Sequence, residues 1–172
     1  IKKYFQNCKL KKDIKVKCIF TGKDSMTGGR IKRLTKYLDK TFIATYGDGL
    51  SNVNIKNLVN FHNKKKKLVT VTAVRPPARF GAIKIVKDTV KYFREKNNLD
   101  EGWINGGFFV MDPKFLKYIK NDNTYLEQEP LKNITKKNQL VAYKHYGFWQ
   151  CMDTLRDKEI LERKIKNKEY ID

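Results

Sequence analysis

The sequence predicts a mixed α/β domain. Three observations carry that reading. Short β-rich runs alternate with helical apolar spacings, glycine-rich or proline-rich connectors punctuate them, and 172 residues suffice for one hydrophobic core. A hydrophobic share of 40% with two tryptophans excludes a disordered tail. No linker, repeat or low-complexity tract divides the chain, so residues 1–172 are read as a single domain.

Taken in order, Val16 to Phe20 is a short apolar strand candidate, followed by "TGKDSMTGGR". From Arg30 to Asp39, Ile31, Leu34 and Leu38 recur at helical spacing. Thr41 to Tyr46 is β-rich and ends in "YGDG". Ile55, Leu58, Val59 and His62 share one helix face, and Leu68 to Val74 alternates as a strand. Strand, helix, strand implies a crossover in a sheet. "RPPARFG" is a rigid connector, since proline fixes φ and removes a donor. Ala82 to Val86 and Lys91 to Glu95 are weaker strands. "GWINGGFFV" is an apolar run around paired glycines, ahead of Asp112-Pro113 as helix cap and first-turn proline. A second helix starts at Pro130, Leu140 to Tyr143 reads as a strand, and a polar helix closes the chain.

The formal charge of +20 is compatible with a nucleic-acid partner, but the excess is lysine spread over every segment. The densest run, Lys64 to Lys67, closes a predicted helix, where cations suit the negative end of the dipole. A lysine-rich nucleic-acid module is the rival class; no nucleic-acid motif supports it. No apolar run reaches the length of a membrane span and no signal peptide opens the sequence. Cys8, Cys18 and Cys151 lack metal-type spacing and read as reduced thiols of a cytoplasmic protein. His62 and His145 have no nucleophile at a recognisable spacing.

Four clusters carry chemistry, each with two readings. "TGKDSMTGGR" either offers backbone N–H groups and Arg30 to an anion or is an ordinary turn into a helix. It is neither a P-loop nor a dinucleotide fingerprint. Asp48, between Gly47 and Gly49, is a turn residue or a ligand of magnesium, which takes one or two carboxylates plus phosphate oxygens. Asp153 is the N-cap of the last helix or, if it meets Asp48, the second carboxylate of a metal site. Gly106, Gly107 and Glu127 form a bulged strand and an acidic turn, or a sugar site.

Together "TGKDSMTGGRIKR", "TYGDGLSNVNIKNL", "VTAVRPPARFGA", "GWINGGFFV", "EQEPL" and "GFWQCMDTLRDK" resemble the bacterial glucose-1-phosphate cytidylyltransferases, within the sugar nucleotidyltransferases. The resemblance runs from about Thr21 to Lys158, in family order. It implies a Rossmann-like nucleotide-diphospho-sugar transferase fold with a mixed sheet. It also implies transfer of a cytidylyl group from CTP to α-D-glucose 1-phosphate, with Mg2+. CDP-glucose would then feed dideoxysugar and O-antigen polysaccharide synthesis. By the same resemblance, Asp48 and Asp153 match metal-binding and catalytic aspartates. Thr21, Met26, Arg30, Gly47 and Asp48 fall on the nucleotide side, and Gly107 and Glu127 on the sugar-phosphate side. The enzymes it resembles are oligomers, so a homo-oligomer is expected, with no specific nucleic-acid partner and no membrane. Its opening G-x-G-T-R loop and Pro-Lys-Pro segment do not occur in these residues, and Cys151 stands where a proline is usual. The expectation is an N-terminally incomplete domain, the C-terminal two thirds of the family's, that binds CTP weakly alone or is an inactive remnant.

Overall fold

The computed structural model describes residues 2–8, 14–76, 82–94 and 102–169. A mixed four-stranded sheet organises them. Its strands are β1 (Phe42–Thr45), β3 (Val69–Val74), β6 (Ile104–Met111) and β7 (Leu140–Lys144), in the order β1-β6-β3-β7. β6 runs antiparallel to both neighbours, and β3 and β7 are parallel. β2 (Gly49–Ser51) pairs with β8 (Trp149–Cys151), and β4 (Ala82–Val86) with β5 (Thr89–Arg94). The helices are α1 (Lys2–Asn7), α2 (Thr27–Lys32), α3 (Ile55–Lys65), α4 (Glu129–Lys136) and α5 (Leu155–Lys166). No helix among the described residues is long and apolar enough to cross a membrane.

β6 is one of the two inner strands, and its residues alternate between two packed layers. Phe109 and Met111 join Val69, Phe115, Ile119, Leu126 and Ile134 in the main core beneath α4. On the other face α3 presents Leu58 and His62, both buried. The predicted α3 forms because its apolar residues share one side, Asn54 caps its first turn through the Asn57 amide, and Lys66 ends it at φ 51°. Lys64 to Lys66 are exposed, as a solvated helix end requires.

His62 shares a 2.9 Å hydrogen bond between Nδ1 and the Thr70 hydroxyl, with only 4% of the residue exposed. Burial pushes its pKa below the ordinary 6.5, partly offset by the Asp112 carboxylate. The folded state therefore favours the neutral ring, and the unfolded chain binds the proton first. Stability should be full above pH 6.5 and fall as pH drops through the lower folded value. Urea midpoints at pH 7 and pH 5 should differ for the native chain, and less for His62→Gln.

Three sequence expectations change. Val16 to Phe20 forms no strand: Val16 is 43% exposed and Phe20 78%, and β-propensity without a pairing neighbour orders nothing. The helix expected from Arg30 to Asp39 instead starts at Thr27, ends at Lys32 and continues only as a 3-10 turn over Thr35–Tyr37. Asp153 does not cap α5. Thr154 does, in a reciprocal capping box with Asp157, whose amide donates to the Thr154 hydroxyl. Asp112 does cap the turn after β6, though that turn is 3-10 throughout. Of "RPPARFG", residues 77–81 lie outside the described residues, as does Glu95 of the strand expected from Lys91. Cys8, Cys18 and Cys151 form no disulfide with one another.

Candidate active site

The site begins where β6 departs from regular pairing. Val71 opposes Phe109, but Ala73 opposes Asn105, so β6 carries two extra residues between these pairs. Gly107 takes φ 78°, a conformation that favours glycine. The bulge frees the Gly106 carbonyl, which accepts a 2.8 Å hydrogen bond from the Trp149 indole. That bond docks the β2–β8 ribbon over the end of β6.

The ribbon then brings the two predicted carboxylates together. Gly49 pairs with Cys151, and the Met152 amide donates to the Asp48 carbonyl at 2.9 Å. Asp48 and Asp153 thus flank one pair of strand ends, and both line a cavity of about 650 Å³ with Asn105, Gly107 and Arg156. Both residues are exposed. Linear spacing cannot reveal this convergence; a three-residue ribbon creates it. Two carboxylates lining one cavity are a hard-oxygen donor set. Among the described residues no group of three or more His, Cys, Asp or Glu could hold a metal by itself. A pair of carboxylates is the donor set of a cation that completes its shell with water and phosphate, as magnesium does.

On the other side of Tyr46 a second cavity of about 720 Å³ is lined by Thr27, Arg30, Gly47 and Asp48 over an apolar floor of Ile31, Leu34 and Phe42. Arg30 donates to the Thr21 hydroxyl at 3.3 Å and to the carbonyls of Gly22 and Lys23 at 3.1 Å each. Its guanidinium braces the loop that holds Thr21. Met26 stands at the N-cap of α2 and lines neither cavity.

Of the two readings of "TGKDSMTGGR", local geometry favours the turn. The Met26 amide donates to the Asp122 carbonyl at 2.8 Å, and the amides of Gly28 and Gly29 to that of Thr124 at 3.0 and 3.2 Å. Those N–H groups are already engaged by carbonyl oxygens. The paired glycines serve close backbone approach. A Cβ on Gly29 would stand 2.2 Å from the Asp122 carbonyl oxygen, and one on Gly28 2.7 Å from that of Thr124. Arg33 locks the same segment with a forked bond to Asp122 at 2.8 and 2.5 Å, which holds the Asp122 carboxyl below its usual range. Gly29→Ala should therefore cost about 1–3 kcal/mol, read as a lowered urea midpoint.

Gly107 and Glu127, expected on the sugar-phosphate side, are linked through two side chains that sequence reading missed, Tyr46 and Asn105. Glu127 lines a third cavity of about 560 Å³ with Asn105. Its Oε2 accepts from the Thr27 hydroxyl at 2.9 Å and its Oε1 from the Tyr46 hydroxyl. Asn105 donates through Nδ2 to the Tyr46 oxygen at 3.2 Å and accepts from the Gly107 amide at 2.9 Å. Burial, followed by the bond to Glu127, holds the Tyr46 phenol well above its ordinary range. The signals were adjacency alone: Tyr46 stands two residues before Asp48, and Asn105 precedes the glycine pair.

Residues 2–155 match the nucleotidyl transferase family. The chain belongs to that family. It is 48% identical over 149 residues to the glucose-1-phosphate cytidylyltransferases of Salmonella typhi and Salmonella typhimurium, covering 86% of this chain and 58% of each relative. It thus spans little more than half the length of these nucleotidyl transferases. Mannose-1-phosphate guanylyltransferase 1 of Arabidopsis thaliana is 27% identical, over 90% of this chain and 45% of that one. Among solved structures, HddC from Yersinia pseudotuberculosis aligns with TM-score 0.72 at 20% identity, covering 95% of this chain and 72% of that one. UDP-glucose pyrophosphorylase complexed with UDP-glucose aligns at 0.62 and 15%, covering 86% and 64%. These structural likenesses show the fold: the Rossmann-like nucleotidyl transferase architecture with a mixed sheet, as the resemblance implied.

Proposed function

We propose that this chain provides glucose-1-phosphate cytidylyltransferase chemistry: CTP and α-D-glucose 1-phosphate give CDP-glucose and pyrophosphate. The observation that carries the proposal is the convergence of Asp48 and Asp153 on one open cavity, alongside 48% identity to enzymes of that name. A phosphate oxygen of the sugar phosphate attacks the α-phosphorus of CTP in line. The bond from that phosphorus to the bridging oxygen breaks, and pyrophosphate leaves. No protein nucleophile is needed, so the residues act by placement and charge.

In this reading Asp48 and Asp153 hold Mg2+. Bound there, the cation would supply neutralisation of the charge that develops on the phosphate oxygens. Arg30 keeps the Thr21 loop against the nucleotide side, and Gly47 leaves open space, with nothing within 4 Å of a Cβ built on it. Glu127 and the bulge at Gly107 receive the sugar. The excess positive charge assists the approach of two polyanionic substrates.

The test is pyrophosphate release by the chain with CTP, glucose 1-phosphate and magnesium, beside thermal shifts with CTP, UTP and dTTP. Release that requires all three components, with the largest stabilisation from CTP, supports the assignment. Equal shifts for the three nucleotides would remove the cytidylyl assignment. Absence of both turnover and CTP binding would remove the activity from this chain.

A further inference from the structure

Tyr46 is the joint between the three cavities. Its side chain borders the first two, and its hydrogen-bond partners Glu127 and Asn105 border the third. The ring is wedged in place, packed edge-on against Phe109 with centroids 5.8 Å apart and planes at 69°. On its other side Gly107 leaves it room, since a Cβ there would stand 2.8 Å from the ring. Packing against Phe109 thus helps orient the ring.

Its hydroxyl extends that rigidity to a group that would otherwise lack it. Glu127 is exposed, in the segment ahead of α4, where a glutamate has several rotamers to lose on binding. Tyr46 holds one carboxylate oxygen and Thr27 the other. An ionised carboxylate accepts about four hydrogen bonds, so two such donors orient it and leave acceptor capacity toward the cavity. Asn105 donates to the same phenol oxygen, so amide, phenol and carboxylate form one chain of hydrogen bonds. Two residues further along the backbone stands Asp48.

We propose that Tyr46 is a positioning residue that presets the Glu127 carboxylate for the hydroxyl groups of the sugar-phosphate acceptor, in register with the Asp48 arm. The proposal rests on the acceptor reading of Glu127 given above. It differs from a packing role because it acts through the phenolic hydroxyl. Removing that hydroxyl leaves the ring and its contacts in place.

The experiment compares the full chain with Tyr46→Phe, Glu127→Gln and the double variant. Calorimetry reads glucose 1-phosphate affinity, pyrophosphate release reads the KM of each substrate, and melting reads the fold. Tyr46→Phe should weaken glucose 1-phosphate about tenfold, the scale of a lost hydrogen bond to a charged group. The KM for CTP should change far less than the affinity for glucose 1-phosphate, and melting should remain cooperative. Glu127→Gln should weaken the same ligand, and Tyr46→Phe should then add nothing in the Glu127→Gln background. Unaltered glucose 1-phosphate affinity in Tyr46→Phe overturns the proposal, and so does a full additional loss in the double variant. Should Tyr46→Phe not fold, wild-type affinity in Glu127→Gln overturns it equally. A native chain that binds no glucose 1-phosphate removes both this proposal and the function it rests on. Native binding with no effect of either variant removes this proposal alone.

Discussion

Asp48→Asn is expected to lower magnesium-dependent pyrophosphate release about 100-fold or more, the scale of losing one preorganised charge-stabilising group. The substitution keeps the shape of the side chain and removes its charge. The Asp48 carbonyl, which accepts from the Met152 amide, is untouched, so the β2–β8 ribbon and the melting temperature should survive. Asp153→Asn should act in the same direction. The double variant should lose little beyond the worse single one, because both carboxylates serve one cation. Stabilisation by CTP in the presence of magnesium gives an independent readout that should vanish with turnover. Full activity in both single variants would mean that the convergence on the 650 Å³ cavity has no metal role.

Phe109→Ala should destabilise the chain by about 3–5 kcal/mol, a large share of the roughly 5–15 kcal/mol that holds a domain folded. Phe109 is 1% exposed on β6 and sits in the main core. Its loss opens a cavity that the sheet cannot close, because β6 is held on both sides by β1 and β3. The same substitution removes the surface on which the Tyr46 ring stands. Phe109→Leu should cost less, since part of the volume is retained. Urea denaturation of the two variants reads the difference. A loss under 1 kcal/mol for the alanine variant would contradict the assigned core.

Elements with strong local causes were legible from the residues alone. α3 has a periodic apolar face and a capping asparagine within its own span. β3 and β6 are apolar runs long enough to order against one another. The proline-led turn after Asp112 and the helix entered at Glu129 with Pro130 follow from residues that restrict their own backbone. The order of the quoted segments also carried the family resemblance.

Other features are products of packing. Val16 to Phe20 has strand-like composition yet meets no partner strand, and pairing is what turns propensity into a strand. Gly28 and Gly29 look like an anion-binding turn, but the Asp122 to Thr124 segment arrives from far along the chain and occupies their amides. Asp153 or Thr154 could each have capped α5, and the reciprocal bond with Asp157 decides for Thr154.

The residues alone specify the elements with strong local causes, the family and the list of chemically able side chains, because propensity, capping and motif order are local properties. Only the tertiary structure decided which of those side chains meet. The β6 bulge, the Trp149 bond to its freed carbonyl and the β2–β8 pairing put Asp48 and Asp153 on one cavity, and Tyr46 lies within hydrogen-bond reach of Glu127. Each of these contacts joins residues far apart in the chain, and spacing along a sequence encodes no distance across a fold.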